Sequence, residues 1–302
     1  MSEIPHCPPD PRIVDTFAET FEMVCTRLLV TALDSYWLDQ ARQAFCGYAT
    51  SVIGCDAECG LEELLAPDRT PDGRPGMALL VFGFSRKKLA EAVANRTGQC
   101  LLTCPTTAVF NGMESDETLD LGRNLRFFGD GFQKSKLLGQ RRFWRVPVMD
   151  GEFLVEQSAG ISRGIAGGNF VLAAAEAETA LAAGRAAVAA IAGVAGCITP
   201  FPGGIARSGS KVGSRYSGQV ASTAEVFCPT LRGRVESVLP GDASAACEIV
   251  IDAVDESAVR QAMRSGIDAA LLAGDLLQVS AGNYGGQLGK CLIPLHSLYA
   301  GQ

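Results

Sequence analysis

Apolar positions along the chain fall into two periods, one suited to strands and one to helices. Residues 79–84 and 249–254 are short apolar runs of strand character, and each is followed by a residue able to cap a helix, Ser85 or Asp255. Beyond each cap, apolar residues recur at helical spacing. The two blocks, 77–102 and 247–272, align without a gap at an offset of 170. The alignment pairs Leu89 with Val259, Ala92 with Ala262, Val93 with Met263 and Leu101 with Leu271. A looser pair accompanies it. A strand over 26–33 leads to a helix over 35–45 that stops at Gly47, and a strand over 169–175 leads to an Ala-rich helix over 176–192 that stops at Gly193. Further strands are expected at 49–53 and 196–199.

Each half thus reads as strand–helix–strand twice over, the split β-α-β pattern. The expected fold class is α+β, with two ferredoxin-like lobes from an internal repeat, 12–150 and 151–302, and long inserted loops. A single doubly wound sheet is the alternative, and the repeat favours two lobes. Segments 104–150 and 199–246 are rich in Gly, Pro and Ser and exceed the length of simple connections, so ligand contacts are expected there.

Composition narrows the function. Hydrophobic residues make up 47% of the 302, enough for a full core, and a net charge of -7 argues against a nucleic-acid footprint. No run reaches the ~18 apolar residues of a membrane span. Residues 1–11 are polar and Pro-rich, which reads as a tail and not a secretory signal. Eleven cysteines, an odd number, suit a cytoplasmic protein with reduced thiols. The Cys55/Cys59 and Cys100/Cys104 pairs lack second pairs at finger spacing, so no metal site is expected. With two histidines, His6 and His296, any His-based mechanism would have to use His296, which reads as a strand-end residue.

The acidic candidate is Glu248. Period-2 alternation puts Cys247, Ile249 and Ile251 on one face and Glu248, Val250 and Asp252 on the other. The matching residues of the first half, Ala78, Leu80 and Phe82, are all apolar, so that face should be covered. A covered Glu248 would sit in a low dielectric with its pKa raised; a solvated Glu on an open face is the plain alternative. The basic candidate is the loop GGIARSGSKVGSR, residues 203–215, with Arg207, Lys211 and Arg215. It fails the P-loop pattern, since Ser-Lys stands where Lys-Ser/Thr is needed. It reads either as a cradle for anionic groups or as a solvated loop. Gly167, Gly168 and Asn169 precede a strand and Gly282 and Asn283 follow one, as a ligand wall or a tight turn would. Phe17, Phe201 and Tyr216 would stack on a ring or pack in the core.

A set of stretches in fixed order carries a resemblance. It runs from Asp15-Thr-Phe-Ala-Glu19 and Ala49-Thr-Ser-Val-Ile53 through Phe127-Phe-Gly-Asp-Gly131 and Ala166-Gly-Gly-Asn-Phe170. It ends with Pro200-Phe-Pro-Gly-Gly-Ile205, Ser210-Lys-Val-Gly-Ser214, Cys247-Glu-Ile-Val-Ile251 and Ser280-Ala-Gly-Asn-Tyr-Gly-Gly286. Over roughly residues 12 to 298 the chain resembles the formylmethanofuran:tetrahydromethanopterin formyltransferase family, in the form found in methylotrophic and related bacteria. The resemblance implies reversible formyl transfer between tetrahydromethanopterin and methanofuran or a bacterial analogue, as co-substrates with no tightly bound cofactor and no metal. It places Glu248 at the reacting centre and coenzyme contacts at Phe17, Ser51, Gly168, Asn169, Phe201, Arg207, Ser210, Lys211, Arg215 and Asn283. It implies a homo-oligomer, a dimer of dimers, and association with the other chains of a formyltransferase/hydrolase complex. The other class is a non-catalytic coenzyme-binding scaffold within such a complex.

No nucleophile-plus-base motif is present, which favours direct attack by the acceptor nitrogen in a ternary complex. Cys55, Cys104 and Cys247 are the candidates for a thioester route. The three cations of the 203–215 loop are expected to sit remote from the formyl carbon.

Overall fold

The computed structural model describes residues 9–300, so His6 and the first part of the N-terminal tail lie outside it. The architecture is mixed α/β and dominated by strands. The chain forms two compact units: Met23–Gly164, and a second that joins the residues up to Glu22 to those from Ile165 on.

The Met23–Gly164 unit begins within β1 (Phe17–Thr31) and continues through α1 (Ser35–Cys46), β2 (Glu58–Leu65), β3 (Gly76–Gly83), α2 (Arg86–Arg96) and β4 (Ala108–Asn111). These four strands pair antiparallel in the order β2-β3-β1-β4, and β4 also pairs in parallel with the strand Gly151–Glu156. Alternation decides the core face. Leu28 and Val30 of β1 and Met77, Leu79 and Val81 of β3 pack with Leu38, Ala41 and Phe45 of α1 and Leu89, Ala92 and Val93 of α2. Asp34 and Ser85 start the two helices by accepting the N–H of Trp37 and Lys88.

The strand expected at 49–53 is instead a turn, in which the N–H groups of Gly54 and Cys55 both donate to the Ser51 carbonyl. The pairing strand is β2, which the sequence disguises with carboxylates. Two of these are matched by ion pairs, Arg27–Glu62 and Arg69–Glu63, so their charge does not oppose pairing. Segment 104–150 is also more regular than expected. Besides β4 it holds an antiparallel hairpin of Lys134–Leu138 with Arg141–Val148.

The second unit runs through β5 (Ser162–Ala174), α3 (Ala177–Ile191), β6 (Cys197–Ile198), β7 (Ala245–Ala253), α4 (Glu256–Ala273), β8 (Leu276–Ser280) and β9 (Cys291–Pro294). Its order is β6-β7-β5-β8, again antiparallel. Strand β9 pairs with Phe17–Thr20 of β1, which is why the N-terminal residues belong to this unit. Cys247, Ile249 and Ile251 of β7 meet Ala183, Ala187 and Ile191 of α3 and Val259, Met263 and Ile267 of α4. Glu248, Val250 and Asp252 therefore take the face away from the helices.

Strands β3 and β7 hold the same place in the two orders, and each is followed at the same distance by a capped helix. Ala78 and Glu248 are thus at matching register positions, and both are buried. Segment 199–246 carries almost no regular structure, only a two-residue ladder of 211–212 with 221–222 and short 3-10 turns.

Candidate active site

The site is built where segment 199–246 returns to β7. The Ala206 N–H donates to the Glu248 carbonyl at 2.8 Å and the Glu248 N–H to the Ala206 carbonyl at 3.0 Å. On its other side Glu248 is in register with Val171 of β5. Four residues beyond Ala206, the Ser210 hydroxyl donates to Oε1 of Glu248 at 2.8 Å. Oε2 has no hydrogen-bond partner among the described residues, although the side chain is only 5% exposed. Burial raises the carboxyl to about pKa 7, against the opposing pull of the Ser210 hydrogen bonds. Both protonation states of Glu248 are therefore accessible near neutral pH.

A second wall follows β8. The Asn169 amide donates to the carbonyls of Gly167 and Gly282 and accepts the Gly282 N–H at 2.7 Å, so it clamps Gly282 in place. Gly282 packs close to both side chains: a Cβ there would stand 3.4 Å from Oε1 of Glu248 and 3.3 Å from Oδ1 of Asn169. Asn283 donates to Oγ1 of Thr16 and to the Phe17 carbonyl. The Tyr284 hydroxyl donates to the Ser210 carbonyl at 2.7 Å and accepts the Val212 N–H at 2.8 Å.

Between the walls lies a cleft of about 440 Å³, lined by residues 206–211 on one side and 280–284 on the other, with Glu248 and Val171 between them and 224–228 at its edge. That volume suits the reactive end of a coenzyme.

Of the expected site residues, Glu248, Arg207, Ser210, Lys211 and Asn283 line this one cleft, and Asn169 supports its wall. The 203–215 loop reaches Glu248 through Ala206 and Ser210, so Arg207 and Lys211, two of the three cations expected to sit remote from the formyl carbon, line the same cleft as Glu248. Its charges differ from the expectation too. Lys211 is paired with both carboxylate oxygens of Glu225, at 2.6 and 2.7 Å, whereas Arg207 is exposed and has no acidic partner among the described residues. Arg215 and Tyr216 are exposed and outside the cleft lining.

Other expected contacts have structural explanations. Gly168 faces α4, where a Cβ would stand 2.3 Å from Cγ2 of Val259, so its missing side chain admits the helix. Phe17 sits opposite Pro294 and offers its carbonyl to Asn283. Phe201 starts the turn Pro202–Gly204, accepting the Gly204 N–H. Ser51 belongs to the Met23–Gly164 unit and holds the turn described above.

The Cys247 thiol lies on the helix side, donating to the Ala180 carbonyl, and burial pushes it up to about pKa 11, which suits a packed thiol and not a nucleophile. Cys104 donates to the Trp37 carbonyl in the other unit. His296 bonds the Ile13 carbonyl through Nε2.

Sequence reasoning missed two residues, Glu19 and Tyr284. Glu19 is buried at 1% exposure and accepts four backbone N–H groups, those of Tyr284, Gly286, Leu288 and Gly289. Burial alone would raise its carboxyl, but the four donors outweigh it and hold the pKa below the ordinary Glu value. The available signal was a glutamate within a β-patterned run together with a Gly-rich stretch whose N–H groups have no ladder to join.

The family model described as formylmethanofuran-tetrahydromethanopterin formyltransferase matches residues 10–148, and its companion, described as the proximal lobe, matches 151–298. The formyltransferase of that name from Methylococcus capsulatus is 48% identical over 95% of this chain and 98% of its own length. The one from Archaeoglobus fulgidus is 47% identical with the same coverage. A component of the formyltransferase/hydrolase complex of Methylorubrum extorquens is 46% identical over 92% of this chain and 93% of its own. Two solved structures superpose with TM-scores of 0.90 at 45% identity over 95% of this chain. One is the formyltransferase from Methanosarcina barkeri, covered over 98%, and the other is the Methylorubrum extorquens formyltransferase/hydrolase complex with methylofuran, covered over 96%.

Proposed function

This chain belongs to the formylmethanofuran–tetrahydromethanopterin formyltransferase family and is a formyltransferase, and we propose that it transfers the formyl group at Glu248. The observation that carries this reading is a buried carboxyl with pKa about 7, one oxygen held by Ser210 and the other without a partner, lining a ligand-sized cleft.

In the reaction, the acceptor nitrogen attacks the formyl carbon and the carbonyl π pair moves to oxygen. Protonated Glu248 keeps its proton and hydrogen-bonds through Oε2–H to that oxygen, since Oε1 already accepts from Ser210. Collapse of the tetrahedral intermediate re-forms the C=O bond and expels the donor nitrogen, which takes up the proton that the attacking nitrogen releases. Both coenzymes are bound together, with no covalent enzyme intermediate. The thiol placements support the direct route, as Cys247 faces the helices.

The substrates are tetrahydromethanopterin and methanofuran or an analogue such as the methylofuran bound in the Methylorubrum extorquens complex. Arg207, the exposed cation lining the cleft, is read as an anchor for an anionic coenzyme tail. In place of the expected halves 12–150 and 151–302, the Met23–Gly164 unit and the unit of residues up to Glu22 with those from Ile165 on are each read as a ferredoxin-like lobe, a reading supported by the matching orders β2-β3-β1-β4 and β6-β7-β5-β8. Among the described residues no helix is long and apolar enough to cross a membrane, and the chain is read as cytoplasmic. Assembly as a dimer of dimers, or within a formyltransferase/hydrolase complex as for its Methylorubrum extorquens relative, completes the reading.

Formyl transfer by the isolated chain, with Glu248→Ala beside it, tests the assignment. Turnover by the wild type and its loss in the variant are expected. A wild type with no transfer would favour a scaffold role, and wild-type turnover in Glu248→Ala would remove Glu248 from the chemistry.

A further inference from the structure

We infer that Glu19 and Tyr284 form a positioning relay that sets Ser210 against Glu248, although neither touches the reacting atoms. The inference rests on the reading of Glu248 as the catalytic carboxyl.

The relay can be followed bond by bond. The Glu19 carboxylate accepts the N–H of Tyr284 at 2.6 Å and of Gly286 at 3.2 Å through Oε2, and those of Leu288 at 2.5 Å and Gly289 at 2.7 Å through Oε1. A buried anion with four backbone donors is a strong and directional clamp, because each bond is charge-assisted and the alternative is an unsolvated charge. It pins a stretch that has no strand partner of its own between β8 and β9.

From the clamped backbone, the Tyr284 side chain reaches the opposite wall of the cleft. Its hydroxyl bonds both the Ser210 carbonyl and the Val212 N–H, the two polar backbone groups that bracket Lys211. Ser210 in turn holds Oε1 of Glu248. Gly282, two residues before Tyr284, packs beside that same oxygen, which a Cβ there would meet at 3.4 Å. Glu19 thus fixes Tyr284 and, through its hydroxyl, Ser210, the donor to Oε1, while Asn169 holds Gly282 on the other side of that oxygen. The Ala206–Glu248 bonds, the Lys211–Glu225 pair and the short ladder hold segment 199–246 on either side of Ser210, and the Tyr284 hydroxyl adds a tie to the Ser210 carbonyl itself from the opposite wall.

The geometry is needed in the transition state more than in the ground state, so the relay should show in kcat and not in KM. Two residues in one chain of bonds should also be non-additive.

The test is a double-mutant cycle of Glu19→Gln and Tyr284→Phe in the full chain, with kcat, both KM values and Tm, and with Glu248→Ala assayed alongside. Each single variant is expected to lose roughly 10- to 100-fold in kcat with KM within about threefold, and the double variant to be no worse than the poorer single. Losses that multiply, or losses that appear in KM or Tm alone, would overturn the relay. If Glu19→Gln does not fold, Tyr284→Phe decides with Ser210→Ala as its cycle partner: non-additive kcat losses support the relay, and unchanged kcat in Tyr284→Phe overturns it. Wild-type turnover in Glu248→Ala would instead sink the catalytic reading underneath.

Discussion

The Ser210 hydroxyl donates to Oε1 of Glu248 at 2.8 Å, joining a residue of the irregular 199–246 segment to one in the middle of β7. This contact assigns different tasks to the two carboxyl oxygens. Oε1 is committed, and Oε2 is buried with no hydrogen-bond partner among the described residues, so on the proposed reading it is the oxygen that donates to the substrate. It also works against burial, keeping the carboxyl at about pKa 7 where both protonation states are accessible.

Glu248→Gln should keep the fold and coenzyme binding and lose turnover by about 10²–10³-fold, the usual cost of disabling an oxyanion donor. Because an amide can still donate, Glu248→Ala should be slower than Glu248→Gln. Steady-state rates with both coenzymes saturating check the order.

The rate should depend on the protonated form. With the carboxyl at about pKa 7, kcat of the wild type should decline as pH rises through that value, and Glu248→Gln should lack this limb. Profiles of kcat from pH 5 to 9 for both proteins provide the check, and a limb that persists in Glu248→Gln would assign it to another group.

Stability should follow the same titration. The folded pKa, about 7, lies above the ordinary 4.5, so the native state holds the proton more tightly than the unfolded state between these values. The associated stability is complete below pH 4.5 and is lost as pH rises through 7. A shift of that size corresponds to roughly 3 kcal/mol. Glu248→Gln, which cannot ionise, should therefore gain on the wild type by up to that amount between pH 4.5 and 8 in denaturant titrations.

Arg207→Ala should raise KM for one coenzyme with little change in kcat, since an exposed charge at the cleft edge contributes uniform binding. The effect should shrink at high salt. Lys211→Ala should behave differently, because it leaves Glu225 unpaired at the edge of the cleft and its own charge is already matched. KM values at two ionic strengths separate the two.

Gly168→Ala should cost stability and not binding. Its Cβ would collide with Cγ2 of Val259, and overpacking of this kind costs about 1–3 kcal/mol. A lower Tm with unchanged KM is expected, whereas a KM rise at unchanged Tm would return Gly168 to the ligand wall.

What the sequence by itself determined is what local physics controls. The strand-then-helix blocks 77–102 and 247–272, their caps Ser85 and Asp255, and the face on which Glu248 lies all follow from periods of two and 3.6 and from capping chemistry. The order of the Gly-rich stretches was enough to identify the family. What only the tertiary structure decided is how irregular segments meet. Nothing in residues 199–215 announces that Ser210 would reach Glu248, nor in residues 280–289 that their N–H groups would converge on Glu19, because both contacts depend on loop paths with no periodicity. For the same reason the turn at 49–53 resembled a strand, and β2, with its paired carboxylates, did not. A single residue's neighbours across 38 positions for Ser210 and Glu248, or 265 for Glu19 and Tyr284, are set by the closing of the whole chain, and only the folded molecule carries that information.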